Sequence, residues 1–290
     1  MSESIKKIEA LFSEDAGQRG IGNIILEGEF ERALDDLISS TKVMILTGFV
    51  IRAAGVGETD GPLGALSLAN ALEKAGKKVM LITDRFSDQL LIAGKEILGL
   101  EAEVVTVPYD NSADFCYQIY SMFQPDHFLA IERPGKAANG HFHSMRAEQL
   151  TDIIPDTDVL MIEAQKNGIR TTAIGDGGNE LGMGKAKDRI IKHINYGETI
   201  AAEVAADNLL LTGVSNWGGH GIAAGLSLRV GQFLMYSAET EVKLLEAIVK
   251  KGAVDGCTRE QVSTVDGLSL EKNISIIKEM NEIVAAAIVN

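Results

Sequence analysis

The chain has 290 residues, 46% hydrophobic and 23% charged, a balance that supports a large buried core and excludes intrinsic disorder. A formal net charge of −14 excludes nucleic acid and anionic membrane as partners, because both need a positive footprint. Cys116 and Cys257 have no CxxC spacing, which argues against a zinc ribbon or disulfide framework and suits a reducing, cytoplasmic compartment.

Residues 1–9 mix acids and bases without an apolar stretch, so they read as neither a signal nor a transit peptide. Residues 1–40 predict helices, with Ile5, Ile8, Leu11 and Phe12 on one face and Phe30, Leu34, Leu37 and Ile38 on another. Apolar runs and helical spacing then alternate over 43–235. The runs at 43–49, 79–83, 104–107, 128–131, 171–174 and 209–214 predict strands. The segments 62–74, 90–98, 113–123, 157–167, 180–194 and 221–235 predict helices. Residues 238–290 predict a helical tail carrying Val242, Leu245, Ile248, Ile277 and Met280. No window offers the roughly 18 uninterrupted apolar residues of a membrane span. This alternation predicts one α/β domain with a mostly parallel, doubly wound (Rossmann-like) sheet and helices on both faces. The alanine-rich, apolar terminal helices suggest a homo-oligomer.

Ligands bind beyond the carboxyl ends of the strands in such folds, and the unusual residues recur there. After the first strand comes Gly55-Val56-Gly57-Glu58-Thr59-Asp60-Gly61-Pro62-Leu63-Gly64. Pro62 suits a first helical turn, and the amides that follow offer an anion site. Thr59 and Asp60 also fit plain helix caps. Glu58 and Asp60 share one face of an extended segment, so both could reach one cation. Glu132 follows the fourth strand directly, facing either the site or the adjacent Arg133. After the fifth strand comes Gly175-Asp176-Gly177-Gly178-Asn179-Glu180. Asp176 and Glu180 are oxygen donors of the kind Mg²⁺ or Mn²⁺ prefers, and Asn179 could cap a helix. After the sixth comes Ser215-Asn216-Trp217-Gly218-Gly219, either a ligand contact or a cap with a core anchor. His141 and His143 lack a third ligand for zinc. Arg146 suits a substrate carboxylate or a salt bridge. Val254-Asp255-Gly256 and Val265-Asp266-Gly267 read as turns, the first within reach of the same edge. GxxxxGK[ST], GxSxG and a dinucleotide fingerprint after the first strand are absent.

The stretches 57–65 (GETDGPLGA), 132–135 (ERPG), 175–185 (GDGGNELGMGK) and 214–219 (VSNWGG) resemble the D-glutamate cyclase family, in particular the C-terminal half of its larger mitochondrial members. The likeness runs from about residue 43 to 270. Residues 140–146 depart from it, reading GHFHSMR where a tyrosine- and asparagine-like run is expected. The resemblance implies closure of D-glutamate, a small amino-acid substrate, to 5-oxo-D-proline and water with a divalent metal, Mg or Mn. Glu58, Asp60, Glu132 and Asp176 are then the expected catalytic carboxylates. Glu58, Asp60, Asp176 and Glu180 are the expected metal ligands. Gly61, Gly64, Arg146, Gly177, Gly178, Asn179, Ser215 and Asn216 are the expected substrate contacts, the glycines through free amides. The same pocket would also suit a metal-dependent phosphohydrolase or a non-catalytic amino-acid or metal sensor.

Overall fold

The structure is a computed structural model that describes residues 3–288. The outermost ends of the two predicted helical stretches, residues 1–2 and 289–290, lie outside the described residues. Two helices come first, α1 (Glu3–Phe12) and α2 (Glu29–Ser39), separated by a loop with a short 3₁₀ turn. Then follow β1 (Lys42–Thr47), a small hairpin of β2 (Val50–Ile51) and β3 (Val56–Gly57), α3 (Pro62–Lys74), β4 (Lys78–Asp84) and α4 (Asp88–Leu98). Next are β5 (Glu103–Val107), α5 (Ser112–Phe123), β6 (His127–Ile131), α6 (Asp158–Lys166) and β7 (Arg170–Gly175). The short helices α7 (Lys187–His193) and α8 (Gly197–Ile200) precede β8 (Asn208–Leu211). The chain closes with α9 (Ser215–Val230), α10 (Ala238–Lys250) and α11 (Leu270–Ile288).

Six strands form one parallel sheet in the order β5-β4-β1-β6-β7-β8, the expected doubly wound α/β fold. The winding reverses between β1 and β6, so the crevice such folds use for ligands opens at the carboxyl ends of those two strands. Side chains alternate across a strand. In β1, Val43 and Ile45 therefore enter one core while Met44 and Leu46 enter the other. Both faces are covered, which is why the strands read as unbroken apolar runs rather than as alternating ones. Helix α9 packs on α3, α1, α2 and α11 on one face, and α5 packs on α6 on the other. Among the described residues no helix is long and apolar enough to cross a membrane.

The structure departs from the sequence expectations in three places. The helix expected at 180–194 survives only as α7. Gly178 and Gly182 have φ of +102° and +97°, a left-handed backbone that keeps 176–183 out of the helix. The helix expected at 221–235 instead starts at Ser215 and ends before Gly231. The glycines that suggested a loop sit inside it. Glycine costs a helix about 1 kcal/mol relative to alanine, and close backbone approach offsets that here: a Cβ at Gly219 would lie 2.5–2.7 Å from backbone atoms of Gly64 in α3. Lastly, each terminal helical stretch is interrupted, at 13–28 and at 251–269, and both interruptions reach the site described below.

The contact between α3 and α9 yields a stability prediction. Gly219→Ala presses a methyl group against backbone that cannot swing aside, and is expected to cost about 1–3 kcal/mol. Gly22→Ala, whose Cβ meets nothing within 4 Å, is expected to stay within roughly 0.5 kcal/mol of the parent. Urea unfolding midpoints of the two variants check this; equal midpoints would mean that the helices separate without cost.

Candidate functional site

The hairpin after β1 delivers Glu58, Thr59 and Asp60 to the start of α3. Asp60 reaches across to α9, where its carboxylate accepts hydrogen bonds from the amides of Ser215 and Asn216, each at 2.8 Å. Asn216 returns the contact. Its Oδ1 accepts from the amides of Gly61 (2.9 Å) and Gly64 (2.7 Å), and its Nδ2 donates to the Thr59 carbonyl (3.0 Å). Each helix therefore satisfies the open amides of the other. The amides of Gly61 and Gly64, expected to be free for a substrate, are engaged within the protein.

Glu132 emerges from β6 with φ +43°, a left-handed backbone that strains a residue bearing a Cβ by about 1–3 kcal/mol and that collects at functional sites. The conformation is held on both sides. The Glu132 amide donates to Ile174 O, and its carbonyl accepts from the Gly48 amide, both at 3.2 Å. Its Oε2 accepts from the Ser215 hydroxyl at 2.6 Å. Arg133 is fully buried and pairs with Asp84 at 2.5 Å, donating also to Gly48 O, Pro155 O and Thr157 Oγ1. The arginine thus fixes the strand ends, and Glu132 faces the crevice.

In the loop after β7, the Glu180 carboxylate accepts three backbone amides of its own turn, from Asp176 (3.1 Å), Gly177 (2.6 Å) and Gly178 (2.7 Å). This corrects two expectations. Glu180 shapes the loop rather than joining the carboxylates that converge in the crevice, and the amides of Gly177 and Gly178 are not free. Asn179 caps no helix; its Nδ2 donates to His143 O at 2.8 Å. Asp176 is left pointing inward, and its Oδ2 is buried without a hydrogen-bond partner among the described residues.

Asp60, Glu132 and Asp176 converge. One carboxylate oxygen from each lies within 4.8 Å of the others, and all three residues are buried. Glu58 stands beside them rather than among them. Its carboxylate lies against Gly256, where an added Cβ would come within 1.7 Å of Oε2, and no hydrogen bond to it exists among the described residues. Arg19, which the sequence does not single out, and Asp266, read there only as part of a turn, complete the cluster. Arg19, from the loop between α1 and α2, pairs with Asp176 Oδ1 at 2.5 Å and with Asp266 at 3.0 Å. Asp255 holds the 255–267 turn, accepting from the amides of Cys257, Thr258 and Gly267 and from the Thr264 hydroxyl. The glycines flanking Arg19 and following both aspartates were the available signals. Arg146 is exposed and donates to Cys257 O at 3.2 Å, at the rim. A separate groove of about 960 Å³ lies at the opposite, amino-terminal edge of the sheet, lined by Lys77, Lys78, Leu98 and Phe123 among others; none of the motif loops reaches it.

Burial pushes Glu58, Asp60, Glu132 and Asp176 up, and like-charged neighbours add to it. Asp60 rises to about 8, through burial and then Asp266, against the pull of its two amide bonds. Glu58 rises well above its ordinary range through burial, Asp266 and Asp60. Glu132 does so through burial, Glu180 and Asp60. Asp176 also rises through burial, with Arg19 opposing. Hard oxygen donors that repel one another around an orphaned carboxylate oxygen fit a divalent cation, which would bind the charged forms. Asp60, Glu132 and Asp176 are the residues placed to hold it.

The sign of the pH effect follows. A carboxylate whose folded value (about 8 for Asp60) exceeds its ordinary 3.8 contributes stability that is present in acid and is lost as pH rises through 8. The metal-free protein is therefore expected to lose stability between about pH 5 and pH 8. The melting-temperature gain from added Mn²⁺ is expected to grow over the same interval, and Asp60→Asn to flatten both slopes. Thermal melts at pH 5, 6.5 and 8 with chelator or Mn²⁺ check this; a Mn²⁺ gain that shrinks towards pH 8 would contradict it.

Comparison with known proteins places these loops in a family. The model for "D-glutamate cyclase-like, C-terminal" matches residues 8–281. Human mitochondrial D-glutamate cyclase is 32% identical over 269 residues, 88% of this chain and 43% of that protein, so the chain spans less than half of that relative's length. Among solved structures, an exopolyphosphatase-related protein from Bacteroides fragilis aligns at 11% identity and a TM-score of 0.44, over 91% of this chain and 58% of that one. UDP-GlcNAc 2-epimerase from Neisseria meningitidis aligns at 11% identity and 0.34, over 66% and 50%. Neither score supports a functional comparison. The match over 8–281, which takes in all four loop motifs and the carboxylates they bring together, shows that the chain belongs to the D-glutamate cyclase family.

Proposed function

We propose that the chain closes D-glutamate to 5-oxo-D-proline with release of water, using a divalent cation, Mg²⁺ or Mn²⁺. The observation that carries this reading is the convergence of Asp60, Glu132 and Asp176 within 4.8 Å, contributed by three of the family's own motifs. In the reaction the amine nitrogen bonds to the γ-carboxyl carbon and one C–O bond breaks. Two protons leave the nitrogen and two reach the departing oxygen, so the enzyme relays protons and consumes none.

A divalent cation, when bound, would supply Lewis-acid stabilisation of negative charge on the γ-carboxyl oxygens. Asp60, Glu132 and Asp176 would hold it. Their geometry is set in advance, Asp60 by the amides of α9, Glu132 by Ser215 and Asp176 by Arg19. Glu58 is assigned the relay. Its high proton affinity and its freedom from hydrogen bonds suit a group that must take a proton from an ammonium and return it to oxygen, a role worth roughly 10²–10⁴-fold in rate. Arg146 at the rim offers a cation to an arriving anion. Cytoplasmic residence and self-association belong to the same proposal, the first supported by the free thiols of Cys116 and Cys257.

Metal-stripped protein, incubated with D-glutamate with and without Mg²⁺ or Mn²⁺ and followed by chiral chromatography, is expected to form 5-oxo-D-proline only with metal. Glu58→Gln is expected to lower kcat by roughly 10²–10⁴-fold with Mn²⁺ binding retained, and Asp176→Asn to weaken Mn²⁺ binding itself. Metal binding and turnover that survive joint replacement of Asp176 and Glu58 by Ala would rule out these roles. Phosphate release from simple phosphoesters without lactam would point to a hydrolase instead.

A further inference from the structure

Arg19 is the one cation in direct contact with the cluster among the described residues, and the roles above use it only to orient Asp176. It sits in a loop fastened at several points. The Asp15 carboxylate accepts from the amides of Arg19 (2.8 Å) and Gly20 (2.9 Å), and the Gly213 amide, two residues beyond β8, donates to Phe12 O at 2.8 Å. A Cβ at Gly213 would lie 1.8 Å from Glu14 O, so the loop is pressed onto the carboxyl edge of the sheet. Its side chain is only 13% exposed, which is a costly placement for a guanidinium unless its donors are used.

Those donors are only partly used. A guanidinium has five N–H groups in a planar fork. Nη1 meets Asp176, and Nη2 meets Asp266 and the Cys257 sulfur at 3.6 Å. Nε and the second Nη1 hydrogen have no partner among the described residues. Arg146 meets the carbonyl of the same Cys257. Two guanidiniums thus converge on one residue, one inside the acidic cluster and one at its rim.

The charge balance requires such groups. Glu58, Asp60, Glu132, Asp176 and Asp266 bring five carboxyls to one crevice, and a substrate with two carboxylates would be repelled by them. A cation held by Asp60, Glu132 and Asp176 would offset the reacting carboxylate alone. The second needs its own partner, adjacent to the first through Asp176. We infer that Arg19 is a substrate-binding residue that takes the non-reacting α-carboxylate of the amino-acid substrate through its remaining N–H groups. This would restrict the site to substrates with two carboxylates. The assignment rests on the cyclase reading for the identity of the ligand.

Calorimetric titration of the full chain, loaded with Mn²⁺, tests it with two ligands: D-glutamate, and D-isoglutamine, in which the α-carboxylate is an amide. The parent protein is expected to prefer D-glutamate. Arg19→Gln is expected to weaken D-glutamate binding about 10- to 100-fold, the range for a lost charge-assisted contact. It should leave D-isoglutamine nearly unchanged, so that the preference collapses. Arg19→Lys keeps the charge without the fork and guards against misfolding; it should lose several-fold on D-glutamate alone. Separate Mn²⁺ titrations of each variant set the concentration that fills the metal site, so that both ligands are compared on loaded protein. A preference that survives Arg19→Gln and Arg19→Lys would overturn the assignment and leave Arg19 as a partner of Asp176 and Asp266. Binding of D-glutamate without turnover in the parent would sink the cyclase reading while the Arg19 comparison still stands. No binding of D-glutamate to the parent would overturn both.

Discussion

The reciprocal bonding between the starts of α3 and α9 is the interaction on which the site depends. A helix begins with amides that have no partner within it. Here Asp60 serves those of α9 and Asn216 serves those of α3. The exchange is possible only because the two helices touch backbone to backbone at Gly64 and Gly219. A side chain at Gly219 would press on the backbone of Gly64, and one at Gly64 on the Cα of Asn216, beside the caps that hold Asp60. Packing on one face of the sheet thus sets the chemistry at its edge.

The second constraint is electrostatic. Buried carboxylates that crowd together are unfavourable by themselves, as the rise of Asp60, Glu58, Glu132 and Asp176 above their ordinary values records. Structures keep such arrangements where binding returns the cost. The left-handed backbone of Glu132 belongs to the same pattern: a residue held in an unfavourable conformation by Gly48 and Ile174 so that its carboxylate enters the crevice.

Much of this was legible in the sequence, and the reasons for success and failure are physical. The strands were readable because a sheet covered on both faces demands unbroken apolar runs such as Val43 to Leu46. The loops that hold Asp60, Glu132 and Asp176 were readable because glycine and carboxylate recur at the ends of those runs. Direction was not readable. Glu180 looks like any other carboxylate until the left-handed Gly178 turns three amides towards it. Gly61 and Gly64 looked like free anion binders because nothing in the chain order says that Asn216, far along the sequence, will occupy them. The helix at 215–230 was read as starting late because glycine is scored as a breaker, whereas here it permits contact. Arg19 lies in a stretch dominated by helical periodicity, and Asp266 lies in what reads as an ordinary turn, so neither shows its place beside Asp176.

Arg19 and Asp266 come from opposite ends of the chain and meet beside Asp176. Contacts so remote in sequence carry the largest loop-closure cost and form late. The parallel sheet and the pairing of α3 with α9 can assemble from nearer neighbours, but the ring of charge closes only when both terminal interruptions settle onto that core. The enclosure of the carboxylates therefore rests on tertiary contacts made by the 13–28 and 251–269 segments, not on the sheet or its two capped helices.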